Sequence, residues 1–560
     1  MSSLGHQLAA SVLVVGAGGS GLRAAIEVAE AGVSVIAVAK STVENAPAAL
    51  GPAGPMWPAA GSGPDDVWQR HAAETLREGR LLADPRTARA VARYAEQGSQ
   101  DMGRHGPHPE RRGQVPRRSG HAHDSTTCAG QQAGPGVHRA LTIRAAELGI
   151  PVVTGVYVTR LLVDDGTVFG AYGFDLVDGS RYLMHADAVI LATGGHTRIW
   201  RRTSSRRDES GGDAFRLATE AGARLRDPEL VQFHPLGLVG PEHAAGLLLD
   251  EAARGEGGVL LNNLGERFMT RYEPEHLERS SQDRVAAAAC TEIRAGRGTQ
   301  SGGVWLDLSH LPRETVLTRL PQVHQTLLDV QTLDITRDPV EVTPTAEYSL
   351  GGVRVRPEDH STEVTGLYVI GEAAGAPHDA RRQQENALLE FLVHGRIAGR
   401  AAAEYSARLT VQQRSPSAVR AAETDMTRLL AADGDQNVRA LLRSVRHLMT
   451  EHAGVVRDEA GLAAGLDELD GIEARTAHAG IHIDIGGLQD LAYAYDLRSA
   501  LLAARATLEC ARERLAARSG HHRSGHSGAG PELTVALVWS PATGVRREPG
   551  ADAGSPRQPR

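Results

Sequence analysis

Cysteine is scarce in this chain: its 560 residues contain only Cys128, Cys290 and Cys510, far apart and without a Cys-x-x-Cys pair. That spacing excludes a structural zinc and an iron–sulfur cluster held by this chain alone, so any such electron relay would lie in another subunit. Long apolar runs are lacking too. The first, Val12 to Val15, is far too short to span a bilayer, and Met1 to Ser11 has neither the basic start nor the apolar core of a signal peptide. The expected location is the cytoplasm, with no direct membrane insertion. Positive charge is not in excess: the formal net charge is -8 and the pI near 6.3, which gives no reason to expect nucleic acid as a partner. Lysine is almost missing, Lys40 being the only one among 60 Lys and Arg residues. A lone lysine in so Arg-biased a chain suggests a position where arginine was not accepted.

What is present is ordinary for a globular protein, with 41% apolar and 23% charged residues. At ~150 residues per domain the length allows roughly two to four domains. Val12-Leu13-Val14-Val15 reads as a buried parallel strand and runs into Gly16-Ala17-Gly18-Gly19-Ser20-Gly21, then a helical stretch to Ala31. Gly16 permits the tight turn, Gly18 and Gly19 let backbone N–H groups approach a pyrophosphate, and Gly21 lets helix and strand pack closely. A second strand, Val33 to Ala39, completes the first part of a βαβ unit, the context that makes this fingerprint specific for a dinucleotide.

Where a simple NAD-binding fold places Asp or Glu on the ribose, this chain has Lys40-Ser41. From this point the sequence resembles the succinate dehydrogenase and fumarate reductase flavoprotein family, which includes L-aspartate oxidase and often carries Ser-Lys here. The resemblance continues in order to about residue 520. Ala192-Thr193-Gly194-Gly195 looks like the turn beside the cofactor, and Ser210-Gly211-Gly212-Asp213 like the segment whose Asp contacts FAD. Gly371-Glu372 resembles the pair that holds the ribityl chain, and Asn386-Ala387-Leu388 resembles Asn-Ser-Leu at the isoalloxazine. The resemblance implies FAD as cofactor. The family's covalent tether is a histidine soon after the second strand, and Ser41 to Leu50 contains none, so the FAD is expected to be noncovalent.

The implied fold is α/β: a discontinuous Rossmann-like FAD-binding domain with an inserted α+β capping domain and a C-terminal helical domain. Residues 1–231 and 351–405 are expected to form the FAD-binding parts, 232–350 the cap, 406–520 the helical domain and 521–560 a mobile tail. Helical periodicity marks Ser417 to Ala432, Asn437 to His452, Glu459 to Ala477 and Leu488 to Ala517. The tail is rich in Gly, Ser, Pro and His, with one strand-like run, Leu533 to Trp539. Arg104 to His138 holds His105, His108, His121, His123 and His138 near Cys128. Their spacing matches no zinc pattern, and no metal is expected.

Substrate is expected between cap and flavin, where a cleft can exclude water. Family members move a hydride between a substrate C–H bond and flavin N5, while polar residues grip a dicarboxylate and an arginine relays a proton. By resemblance His234 is a carboxylate ligand, Glu251 belongs to the proton relay and Arg382 falls on the substrate-binding arginine. Three positions depart: Gln282 replaces the proton-shuttling arginine, Glu347 replaces a substrate-contacting histidine, and Asp250 replaces a threonine donor. The pocket thereby loses a cation and two donors and gains two potential anions, so succinate becomes a poor fit. The expected activity is FAD-dependent oxidation or reduction of a small carboxylate- or amine-bearing substrate. The alternatives are a flavoprotein subunit partnered by an iron–sulfur or other electron-transfer subunit, with Arg279 or Arg284 as replacement shuttle, and a non-catalytic FAD-binding remnant.

Overall fold

The computed structural model describes residues 5–41, 56–58, 67–78, 85–94, 125–127, 133–375, 387–483, 488–515, 521–524 and 535–549. Strand β1, His6–Val15, ends in the fully buried run Val12 to Val15 and lies parallel to β2, Val35–Ala39, on one side and to Arg181–Leu191 on the other. Val152–Thr154 extends the sheet beyond β2, and Leu367–Val369 pairs with the end of Arg181–Leu191, both parallel. Continuous apolar strands of this kind need cover on both faces. Helix α1, Gly19–Glu30, and the helix Ala387–Arg408 supply one cover through Leu22, Ile26, Leu389 and Val393. Val156–Asp164 and Thr167–Asp175 add an antiparallel extension. A strand near residue 368 thus completes a sheet begun at residue 6, so the chain leaves this domain and returns.

The excursion builds its own antiparallel sheet, in the order Val231–Leu238, Val340–Ser349, Val304–Asp307, Val259–Leu261. Helix Gln282–Glu292 buries Val285 and Ala289 in the core formed by Leu236, Leu306 and Val342. Pairing of Gln232 with Tyr348 and of Phe233 with Ala346 brings the two longest strands of this sheet together at the end nearest the nucleotide-type domain.

The four later helices form over Pro416–Leu430, Val438–His452, Glu459–Thr476 and Gln489–Glu513. Side chains of Asn437 and Asp458 accept from Ala440 N (3.0 Å) and Gly461 N (2.8 Å), which fixes two helix starts. The last helix ends at Glu513, short of Ala517. The strand-like run expected in the tail forms over Val535–Ser540. Val535–Ser540 pairs with Leu225–Arg226 and with Gly544–Pro549, and Trp539 is buried. Four consecutive apolar residues, Ala536 to Trp539, supply enough burial to order this stretch despite its Gly/Ser/Pro-rich flanks. Among the described residues no helix is long and apolar enough to cross a membrane.

Candidate active site

The glycine turn between β1 and α1 is shaped by close approach. Gly16 has φ +108°, and a Cβ there would lie 2.2 Å from the Ala192 carbonyl oxygen; a Cβ on Gly21 would lie 1.9 Å from the Gly16 oxygen. Gly18 caps α1 without any side-chain hydrogen bond, and a Cβ on it would meet nothing within 4 Å. Gly19 packs against the Phe391 ring. The start of α1 is therefore a cluster of backbone N–H groups facing open space, with the positive end of the helix dipole behind them.

The separated motifs converge on this turn. Ala192 donates to Val15 O at 2.7 Å, which sets the Thr193-Gly194-Gly195 turn beside it, and the Thr193 hydroxyl is buried without a hydrogen-bond partner. Gly371 approaches the Ser20 side chain of α1. The Glu372 carboxylate accepts from Ser349 N at 2.9 Å and Ser210 Oγ at 3.3 Å. A Cβ on Gly195 would strike both Ser349 and Glu372. Because Ser349 ends the strand Val340–Ser349, the sheet of the inserted segment is anchored directly to this turn. A glycine cradle that a Cβ would fill, an uncapped helix start and an orphaned hydroxyl fit a dinucleotide. Asn386 and Arg382 lie outside the described residues, as do Cys128 and the histidines from His105 to His123; Ala387 and Leu388 open the helix Ala387–Arg408.

Lys40 and Ser41 form the bend that follows β2. The Lys40 ammonium lies 2.6 Å from Asp213 Oδ2 and 3.2 Å from Asp496 Oδ1, and 4.3 Å from the Tyr157 ring centroid. Tyr157 donates to Asp496 at 2.7 Å, and Ser499 donates to the other Asp213 oxygen at 3.0 Å. Lys40 and Asp213 are thus brought together, and Asp496 joins them from the last long helix. Sequence reasoning missed Asp496; its only signal is an acid on the buried side of an amphipathic helix. Burial would raise the Asp213 carboxyl, but Lys40 outweighs it and holds that group low; burial leaves Asp496 raised despite Lys40. A compact ammonium fits this three-sided space, where a planar guanidinium is broader.

His196 was also missed. It is fully buried behind Gly195, and Ser349 Oγ lies 2.9 Å from both its backbone N–H and its Nδ1. Thr507, whose hydroxyl donates to Ala503 O at 2.7 Å, lies 3.3 Å from His196 Nε2, which puts the ring proton on Nε2 and leaves Nδ1 to accept from the Ser349 hydroxyl. Burial pulls His196 down to about 3, so it stays neutral.

On the cap side, Leu236 N donates to His234 Nδ1 at 3.1 Å, which leaves the proton on Nε2, 3.2 Å from Glu251 Oε1. The second Glu251 oxygen is paired with Arg254, whose guanidinium also donates to the carbonyls of Glu278 and Ser280. Arg254 thereby ties the His234–Glu251 pair to the segment that opens the Gln282 helix. Gln282 Oε1 accepts from Gln232 Nε2 at 2.8 Å, so a neutral amide pair occupies this point. Asp250 accepts from Ala252 N at 2.8 Å, and Glu347 is half-buried on the facing strand. Arg284 is turned to solvent and paired with Glu273 at 2.5 Å, and Arg279 is exposed. Arg254 thus bonds Glu251, Glu251 meets His234, and Gln282 pairs with Gln232 two residues beyond the Ser280 carbonyl that Arg254 holds.

Residues 11–388 match the family described as FAD binding domain, and residues 442–531 match the one described as Fumarate reductase flavoprotein C-term. One of the chains of the fumarate reductase (CoM/CoB) of Methanothermobacter marburgensis is 34% identical over 532 residues, 94% of this chain and 96% of that protein. The chain belongs to the succinate dehydrogenase/fumarate reductase flavoprotein family. In the same family, the succinate dehydrogenase flavoprotein subunit of Rickettsia bellii is 31% identical over 542 residues, covering 91% of this chain and 89% of that protein. The solved structure of Mycobacterium smegmatis Sdh1 in complex with UQ1 is 32% identical at a TM-score of 0.87, covering 97% of this chain and 94% of that one. As a member of this flavoprotein family the protein is an FAD-dependent oxidoreductase, with a discontinuous FAD-binding domain, an inserted α+β cap and a C-terminal helical domain.

Proposed function

We propose that this cytoplasmic enzyme passes hydride between flavin N5 and a small carboxylate- or amine-bearing substrate, and that succinate is not its substrate. The observation that carries this reading is the Gln232–Gln282 amide pair. An amide has no charge to balance a second carboxylate and no proton to relay near neutral pH. Arg284, which could have compensated, is engaged by Glu273 at the surface. Two carboxylates ~4 Å apart repel by about 4 kcal/mol at an effective dielectric of ~20, so Glu347 and Asp250 oppose a dianionic substrate.

A substrate with one carboxylate and one ammonium suits the residues better. Its carboxylate end would meet His234 and Arg382, with Glu251 and Arg254 fixing the imidazole; its ammonium would meet Glu347 or Asp250. FAD would be held by Gly16, Gly18, Gly19 and Gly21 at the pyrophosphate. Thr193, Gly194, Gly195, Gly371 and Glu372 would lie along its middle, the Asn386 segment at the ring, and Lys40, Ser41 and Asp213 at the adenosine end. The flavin supplies the two-electron acceptor or donor. Without a histidine from Ser41 to Leu50 it is bound noncovalently, so denaturation should release all yellow colour from the chain.

A second reading, a flavoprotein subunit with an iron–sulfur partner, is favoured by the extent of similarity to proteins named as subunits. Anaerobic flavin absorbance separates the two. Bleaching by an amino compound with recovery in oxygen is expected, whereas bleaching by succinate with recovery in fumarate would replace the first reading by the second. Glu347→Gln should weaken the apparent affinity for the active amino compound about tenfold or more, ~1.4 kcal/mol. An unchanged affinity would remove Glu347 from the site.

A further inference from the structure

His196 follows Gly195 at the cofactor turn and is fully buried. Its imidazole is boxed in by the rings of Trp200, edge-on, and Phe215, 5.4 Å and 4.7 Å away between centroids. Trp200 is itself tied to the helical domain, because its Nε1 donates to Ala453 O at 3.0 Å. The two ring nitrogens of His196 face different parts of the molecule. On one side Thr507 Oγ1, from the last long helix, lies 3.3 Å from Nε2, and its own proton goes to Ala503 O, so Nε2 is the donor. On the other side Ser349, the last residue of a cap strand, places its Oγ 2.9 Å from Nδ1 and 2.9 Å from the His196 backbone nitrogen. The Ser349 oxygen accepts the backbone N–H and gives its proton to Nδ1. Burial keeps the ring neutral, which this arrangement requires, since a protonated Nδ1 would donate and could not take the serine proton.

Ser349 also reaches Glu372. Its N–H donates to Glu372 Oε1 at 2.9 Å, while Ser210 Oγ donates to Oε2 at 3.3 Å. The Ser349 hydroxyl is close to the same carboxylate, because a Cβ on Gly195 would strike Ser349 Oγ and Glu372 Oε1 together. A serine hydroxyl has one proton to place. If Nδ1 were lost, Glu372 would be the neighbouring charged acceptor, and a buried hydroxyl turns to such an acceptor rather than leave its proton unbonded.

We infer that His196 is a positioning residue for the flavin, a role that rests on the reading of Glu372 as lying along the middle of FAD: by taking the Ser349 proton at Nδ1, it keeps that hydroxyl off Glu372 and leaves the carboxylate aimed at the cofactor. Thr507 holds the far side of the ring, so the last long helix, the cap strand and the flavin turn are joined through one imidazole.

Two conservative substitutions separate the two ring nitrogens. His196→Asn puts an amide oxygen where Nδ1 stood and keeps the Ser349 contact, whereas His196→Gln reaches towards Thr507 and loses it. The measurement is release of FAD from the full-length holoenzyme, followed by flavin fluorescence on dilution, together with the visible spectrum of the bound flavin. His196→Asn is expected to hold FAD within about twofold of the wild type, and His196→Gln to weaken it about tenfold or more with a shifted flavin spectrum. Adding Ser349→Ala to His196→Gln removes the misdirected proton and should recover about threefold or more of the lost affinity. Equal losses for His196→Asn and His196→Gln, or no recovery on adding Ser349→Ala, would make His196 a packing residue and overturn the role, as would failure of His196→Gln to fold. Glu372→Gln is measured alongside. If it leaves FAD affinity unchanged, the placement of Glu372 beside FAD fails and the role of His196 falls with it; if it weakens FAD while His196→Gln does not, only the role of His196 fails.

Discussion

Lys40→Met is expected to lower stability by about 3–5 kcal/mol, the usual cost of removing one partner from a buried ion pair. Lys40 stands between Asp213 and Asp496, whose side chains are 7% and 22% exposed, so its loss leaves two carboxylates facing each other with only hydroxyl donors. The pH dependence distinguishes this cause from simple packing loss. In the wild type the folded pKa of Lys40 is raised, so its contribution is complete below its unfolded pKa and fades only as pH climbs through the higher folded value. Asp213 is held low, and its contribution fades only as pH falls through its folded value. The wild-type cluster therefore carries one cost that grows with pH, that of ionising Asp496, whose carboxyl burial holds high, while Lys40 and Asp213 keep their charges across the neutral range. In the variant, burial and mutual repulsion raise both carboxyls, so stability is lost as pH rises through that range. Urea midpoints at about pH 5 and about pH 8 should show a clearly larger deficit at the higher pH. Equal deficits would mean that the two acids do not depend on Lys40.

Gly21→Ala should yield protein that has lost its FAD, with affinity reduced at least about a hundredfold, ~2.7 kcal/mol. The added Cβ would lie 1.9 Å from Gly16 O and 3.3 Å from Ala192 Cβ, and no side-chain rotation can relieve contact with backbone. Helix α1 must move away from β1, which disturbs the fold and the N–H cluster together. Gly18→Ala makes the contrast, since its Cβ meets no protein atom within 4 Å. It should leave the apoprotein's thermal midpoint unchanged and weaken only FAD binding. If Gly18→Ala bound FAD normally, the open space at that residue would not be where the pyrophosphate sits.

Much of this was legible in the sequence because the relevant forces are local. The apolar run Val12 to Val15, the glycines at fixed offsets and the next strand can be read from residues a few positions apart. The residue types at Gln282, Glu347 and Asp250 were legible too, since each is read within a short motif. Their consequence was not. Whether Gln282 meets a carboxylate, a solvent molecule or Gln232 depends on how helix Gln282–Glu292 packs against the Val231 strand. In the tail the strand-like run was legible from its apolar residues, but its partner was not, because pairing with the edge at Leu225–Arg226 depends on how distant elements pack.

The sequence by itself determined the nucleotide-type fold and the flavin, because turn geometry, strand burial and side-chain chemistry are properties of short stretches. Only the tertiary structure decided that Lys40 meets Asp496 across 456 positions and that Ser349 joins His196 to the Glu372 turn. Such pairs form between elements brought together by burial of apolar faces, and burial carries no record in the sequence of which polar groups it will set side by side.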